Sequence, residues 1–494
     1  MPASLVFLCA RKVVSDHGCA LRSLASLPQE LYPVLFKAAF LDQRPLVIGE
    51  LVLRWPERVL SLTRSLRACQ HCCLDLSRDW PSRDCLQAVL LAVVKGLRER
   101  DRRDRNALRV LDLCGVQDEG GRREPNTMGS WFRTVALSKA CLEARGRRRG
   151  GESTPKRRRG VSSPAVEVEV RADLFVNGSS FETVRQALRG GGPLRLVCRD
   201  LRAEELSTQR TASLLDMLEP SALRRVDLRY NNLGLAGIAL LLPRLASCPS
   251  LLSLRLLYSN VDVHRPTPGM EAGLRELAGG LGGLLNLREI NLTSLRLSGK
   301  LRLLLSALER PLEVLELPYF SLTPSDLSYL SSSPHAPALR KLDLSGNSLS
   351  VEQLPSLQRL LSLSRSLSHL VLSGCSLTDS LLGALLPSLG LCRGLQSLGL
   401  SLNPLSTRGL LSLAHTAICL PLLQLLVYPQ PTDCYEEGLP QPPSYYNLME
   451  FPLDQGKLAR ATEELREVLE RAGRADLVLS TDLYSHSTAE LLEE

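Results

Sequence analysis

The stretch Leu339–Leu349, LRKLDLSGNSL, places leucine at 339, 342, 344 and 349 and asparagine at 347. The same L-x-x-L-x-L-x-x-N-x-L spacing recurs at Leu395–Leu405, LQSLGLSLNPL, and at Leu223–Leu233, LRRVDLRYNNL, where Val226 replaces one leucine. Looser copies begin at Leu251, Leu287, Leu312, Leu367 and Leu422, so successive starts lie 28, 36, 25, 27, 28, 28 and 27 residues apart. Leucine richness alone would scatter L-x-L pairs without a period. A fixed period means stacked copies of one supersecondary unit.

Each unit begins with a short strand whose leucines alternate inward. The asparagine then turns the chain and bonds backbone groups of neighbouring turns. Three copies keep Asn; Cys375, Ser259, Leu295 and Phe320 replace it in others, which predicts a ladder interrupted in the middle. A period of 27–28 residues leaves room for a helix per repeat, such as Leu381 to Leu389. The predicted fold is therefore α/β: a leucine-rich-repeat solenoid, a horseshoe with strands inside and helices outside. The 36-residue interval predicts an insertion at His264–Gly273, which holds two prolines and two glycines.

Outward from the array at 194–430, Leu194, Leu196 and Leu201 read as a first repeat, with Val166, Val168 and Val170 as a preceding strand. Residues 101–193 hold an opening repeat, Leu108, Leu111 and Leu113, cut off by a basic disordered segment at about 118–162. Residues 1–100 carry helical periodicity, as in Leu86–Leu97, and predict a small helical N-terminal domain. Residues 431–494 turn proline-rich and then predict a closing helix near Leu458–Ala472, because a terminal repeat needs a cap over its leucine face.

Composition supports thin repeated layers: of 494 residues, 44% are hydrophobic but only 4% aromatic. In RGRRRGGESTPKRRRG, residues 145–160, eight basic residues against Glu152 carry +7 of the formal net charge of +8. The rest is close to neutral and lacks the distributed basic face that phosphate binding needs. This segment resembles a bipartite nuclear import signal; a solvated loop is the other reading, and both stand. The apolar run Ser4–Ala10 is too short for a signal peptide, and no run approaches a membrane span of about 18 residues. Fourteen cysteines then indicate a reduced chain in the cytosol or nucleus. Cys69, His71, Cys72 and Cys73 form half of a zinc spacing and read as core thiols. Phosphate-loop and nucleophile-elbow motifs are missing, the histidines are scattered, and Gly190–Gly192 reads as a linker turn. A non-enzyme without cofactors is expected.

Between the inward leucines, the strand residues point from the inner face. The early repeats place Arg225, Asp227, Arg229, Tyr230, Arg255 and Tyr258 there, and the middle ones Glu289, Asn291, Glu316 and Tyr319. Later repeats offer Ser345, Ser373, Gly399 and Ser401. Tyrosine and arginine are enriched at interface hot spots, so the early half is the candidate protein-binding face.

At the N-terminus, Ser4, Leu5, Cys9 and Val13 spell S-L-x-x-x-C-x-x-x-V, an apolar helical stripe with a hydroxyl placed to cap it. Leu27, Pro28, Leu31 and Leu35 follow as a second amphipathic helix opened by proline. The first pattern resembles the BC box that docks on Elongin C, and the second resembles a cullin-2 box, with an F-box as its nearest competitor. With LPQELYPVLFKAAF (27–40), LVLRWPERVLSL (51–62), ALRVLDL (107–113) and VDLRYNNLG (226–234), nearly the whole chain resembles the PRAME-like leucine-rich-repeat family. That resemblance implies a substrate-recognition subunit of a cullin-2 ubiquitin ligase. Ser4, Leu5, Cys9 and Val13 would meet Elongin B/C, and Leu27, Pro28, Leu31 and Leu35 the cullin. The alternative is a repeat scaffold or inhibitor that sequesters a signalling protein. The Arg-rich segment departs from the family pattern.

Overall fold

The computed structural model describes residues 4–24, 26–67, 82–99, 108–116, 129–146, 168–266 and 268–482. The chain divides into two compact units, 1–226 and 227–494. The Cys69–Cys73 cluster and most of the Arg-rich segment lie outside the described residues.

The first unit opens with α1 (Leu5–Ser15), α2 (His17–Leu24), α3 (Tyr32–Leu41) and α4 (Pro45–Leu53). Phe36 sits at their centre, fully buried, with the Trp55 ring edge-on at 5.6 Å. Tyr32 is buried and donates its hydroxyl to the Leu24 carbonyl at 3.0 Å, tying the end of α2 to the start of α3. There follow β1 (Val59–Ser61), α5 (Leu62–Arg67), α6 (Arg83–Glu99), β2 (Val110–Asp112), α7 (Ser130–Gly146), β3 (Val168–Val176), α8 (Phe181–Leu188), β4 (Leu194–Ala203), α9 (Thr208–Leu215) and β5 (Arg225–Asp227). Strands β1 to β4 pair in parallel and in chain order, with a bulge between Ala172 and Leu174.

Two expectations are corrected in this unit. Strand pairing begins at Val59, inside the stretch read as purely helical. Three residues leave no alternation to read, yet Leu60 is fully buried in register with Leu111. The segment read as disordered at 118–162 contains α7, with Thr134, Leu137, Ser138 and Cys141 buried. Hydroxyls in core positions hid its apolar face. Thr134 donates to the Ser130 carbonyl and accepts the Phe175 amide at 2.8 Å, so each bond that burial strips from water is replaced. Arg145, the first arginine of the basic run, donates to the carbonyls of Gln186 and Ala187 at the end of α8. Arginine here caps a helix rather than serving a solvated charge cluster.

The second unit carries β6 (Ser253–Arg255), β7 (Glu289–Asn291), β8 (Val314–Glu316), β9 (Lys341–Asp343), β10 (His369–Val371), β11 (Ser397–Gly399), β12 (Leu425–Val427) and β13 (Val478–Ser480), all parallel and in chain order. Helices alternate with them, among them Asp379–Leu389 where the pattern predicts one, and several start at Ser or Thr caps such as Thr323, Thr378 and Ser406. The predicted fold class, an α/β leucine-rich-repeat solenoid, is the observed one. The predicted insertion includes the start of the helix Met270–Gly282.

The asparagine ladder behaves as read. Asn403 is fully buried, accepts the amides of Cys375 and Leu377 at 2.9 and 3.0 Å, and donates to the Leu372 and Leu400 carbonyls at 2.8 and 2.7 Å. Asn347 accepts the Leu322 amide and donates to Leu317 and Leu344. At the substituted rungs, the Cys375 thiol still reaches the Leu344 carbonyl, whereas Leu295 and Phe320 fill the space with hydrocarbon. The helix Gln455–Arg471 and β13 close the array, and Arg474 caps the carbonyls of Ala417, Leu420 and Leu423 at 3.1, 2.9 and 2.6 Å. Replacing Asn403 by alanine strands two amides and two carbonyls away from water. The N403A chain is expected to lose about 2–3 kcal/mol, read as a lower urea midpoint; an unchanged midpoint would show the ladder dispensable.

Candidate protein-binding surfaces

On α1, Ser4 accepts the Phe7 amide at 3.3 Å and caps the helix, as its position predicts. Phe7, Ala10 and Val14 point into the unit. The opposite face presents Leu5 at 76% exposure and Leu8 at 49%, with Cys9 also exposed; Val13 is half-buried. Spacings of three and four residues put Leu5, Leu8 and Cys9 on one stripe. The helix is pinned from its other side, where the Arg11 guanidinium meets the Asp42 carboxylate at 2.7–3.0 Å. Leu8 was missed in the sequence because the motif names only every fourth residue. Its i+3 spacing from Leu5 was the available signal.

The second helix pattern divides. Pro28 is exposed at the start of the single turn Gln29–Leu31, and Leu27 and Leu31 are half-buried. Leu35, however, is only 3% exposed and packs inside the N-terminal domain. Only the earlier part of the pattern therefore offers a surface. Between α4 and α6, exposed Leu46 and Leu91 line an open groove of about 340 Å³.

The inner-face residues are less open than their strand positions predict. Arg225 lies 3.9 Å from Asp200 in the first unit. In the second, Arg229 Nε sits 2.9–3.1 Å from the Asp227 carboxylate, and Arg255 reaches Glu289 at 2.5–2.8 Å. Glu289, Asn291 and Glu316 are buried, and Glu316 is held by both Lys341 and Asn291. Burial pushes the Glu316 carboxyl up, but Lys341 and Arg255 outweigh it and hold it below its ordinary value. Charges that look like a solvated face are mostly one another's partners. Lys341 and Asp343, which complete this network, escaped the sequence reading because they fall at outward positions of a repeat taken as serine-rich.

What remains open is aromatic. Tyr230, Tyr258 and Tyr319 are 51%, 42% and 44% exposed, and the first two rings stack at 4.8 Å with an interplanar angle of 11°. Each occupies the residue after the strand turn, and that rung has positive φ in seven repeats: Tyr230, Tyr258, Ser294, Tyr319, Gly346, Gly374 and Leu402, between 54° and 66°. The shared left-handed backbone throws the three tyrosines out along one line. Tyr445, from the helix Tyr445–Glu450 in the proline-rich segment, joins this line: its ring lies 3.4 Å from where a Cβ on Gly374 would stand.

Among the described residues, no group of His, Cys, Asp or Glu is placed to hold a metal ion, and no helix is long and apolar enough to cross a membrane. Burial raises the Cys375 and Cys392 thiols above their ordinary value, so these are packing groups rather than nucleophiles.

Asp343 yields a pH signature. Burial, together with nearby Glu316, lifts its carboxyl from 3.8 to about 6 against the opposing bonds from Ser345 and the charge of Lys341. The folded chain then keeps a proton that the unfolded chain releases, so stability falls as pH rises between 3.8 and about 6. In D343N this component of the fall is expected to disappear when urea midpoints are compared across that window; parallel profiles for the two chains would refute the assignment.

Comparison with known proteins gives the family directly. The PRAME N-terminal domain matches residues 2–120 and the PRAME C-terminal domain residues 192–492. Leucine-rich repeat-containing protein 14 of Xenopus laevis is 46% identical over 99% of each chain, and that of Homo sapiens 42% identical over 99% of each. PRAME family member 12 of Homo sapiens is 28% identical over 88% of this chain and 86% of its own. With matching domain models over most of its length and relatives aligned almost end to end, this chain belongs to the PRAME family of leucine-rich-repeat proteins.

Proposed function

We propose that this chain is a non-catalytic adaptor: α1 docks on Elongin B/C, the stretch around Leu27, Pro28 and Leu31 meets cullin-2, and the inner strand face holds a target protein for ubiquitin transfer. The observation that carries the reading is the outward stripe of Leu5, Leu8 and Cys9 on a helix whose other face is already packed. Exposed leucines in contiguous array mark interaction sites. Burying one such side chain in a partner supplies about 1.5–3 kcal/mol. Nothing in the described inner face requires chemistry of its own; the adaptor works by raising the target's effective concentration beside the charged ubiquitin-transfer machinery. All described cysteines are free, which supports a place in the reduced cytosol or nucleus.

The burial of Leu35 favours the second reading, a repeat scaffold or inhibitor that holds its target without a ligase. That residue would have to leave the N-terminal core to reach a cullin. Both readings keep the inner face as the target surface, and they part at α1.

Purified Elongin B/C and cullin-2, offered to the wild-type chain and to L5A/C9A, decide between them. Recovery of the complex by wild type is expected, with at least a tenfold loss in the double variant. The substituted side chains are exposed, so circular dichroism of the variant should match the wild type. No recovery by the wild-type chain would overturn the adaptor and leave the scaffold.

A further inference from the structure

The line of tyrosines has a gap one ring wide. Ser294 has the same left-handed backbone as its neighbours, φ 60° against 54° at Tyr258 and at Tyr319, but carries no ring. Strands lie about 4.8 Å apart, so Tyr258 and Tyr319 arise roughly 9.6 Å apart with an unfilled rung between them. Where consecutive rungs both carry rings, as at Tyr230 and Tyr258, the rings stack at 4.8 Å. A third ring above Ser294 would stand at about that separation from Tyr258. Tyr319 keeps the gap open because its ring leans the other way: a Cβ added at Gly346 would meet Cδ1 and Cε1 of Tyr319 at 2.3 Å.

We propose that the notch at Ser294 receives one aromatic side chain of the partner protein, clamped between Tyr258 and Tyr319. The chain itself displays this mode of filling. Gly374 also lacks a ring, and there Tyr445 arrives from a distant segment, its ring 3.4 Å from where a Cβ would stand. One ringless rung is thus covered from within the chain, and Ser294, half-buried, is another rung without a ring of its own. Chemistry favours an aromatic over a cation. The carboxylates of the two strands around the notch, Glu289 and Glu316, are already held by Arg255 and by Lys341 with Asn291. With those two carboxylates already paired, a ring, which stacks on Tyr258 without needing a counter-charge, is favoured over a guanidinium.

The inference rests on the inner face being a partner surface but is independent of the ligase. Three immobilised dodecapeptide libraries, alike except for a fixed central Tyr, Arg or Leu, are offered to the purified full-length chain. The Tyr-centred library is expected to retain at least tenfold more protein than the other two. S294Y, which supplies the missing ring in a backbone that already accepts tyrosine at three equivalent rungs, should abolish the preference, and S294A should keep it. Should circular dichroism show S294Y misfolded, Y258S removes one jaw of the clamp and must also abolish it. Retention that ignores these substitutions, or that favours Arg or Leu, overturns the notch alone. Failure of all three libraries overturns the inner face as a peptide surface and the notch with it, whatever the result with Elongin B/C.

Discussion

The left-handed residue that ends each strand turn is the constraint on which the rest of the second unit depends. A non-glycine residue held there costs on the order of 1 kcal/mol, and five of the seven rungs, Tyr230, Tyr258, Ser294, Tyr319 and Leu402, are not glycine. What sustains them is the turn each one makes. Reversing the chain at this point aims the next side chain, Asn231, Asn347 or Asn403, into the interior, and Asn347 and Asn403 join backbone groups of adjacent coils there. Without the turn those amides and carbonyls have no partner, and parallel strands of three residues are too short to hold themselves together.

The same turn decides what the protein shows to others. A left-handed residue cannot direct its side chain into the core, so it projects along the edge of the inner face. Tyrosines at three rungs become a line of exposed rings, glycines at two provide flat floors, and serine at one leaves a gap. The charged strand residues beside them form a contrasting layer. Arg255, Glu289, Glu316 and Lys341 satisfy one another in a mostly buried network that makes a firm floor beneath the rings. An inner face built this way presents tyrosine rings beside charges that largely neutralise one another.

The N-terminal helices follow a different logic. Here α1 is apolar on both sides: one side packs through Phe7, Ala10 and Val14, and the other leaves Leu5 and Leu8 in water. Exposed as they are, Leu5 and Leu8 add little to the stability of the folded chain. The Arg11–Asp42 pair steadies the helix without covering the stripe.

Periodicity alone determined the repeat fold, its register and the interruption of the asparagine ladder, because each inward leucine and each turn asparagine is selected by a local requirement repeated in every coil. It determined the capped start of α1 and its stripe for the same reason: spacing of three or four along a helix is a local property. Elements without such a local signature had to wait for the tertiary structure. Helix α7 buries Thr134 and Ser138, whose hydroxyls donate to the Ser130 and Thr134 carbonyls one turn back, while Thr134 also accepts the amide of distant Phe175. Leu35 reads like Leu31 in the sequence, yet packing alone turned it inward. The pairing of Glu316 with Lys341, and the arrival of Tyr445 over Gly374, join residues far apart in the chain. Such contacts depend on which coils become neighbours, and no local pattern of residues encodes them.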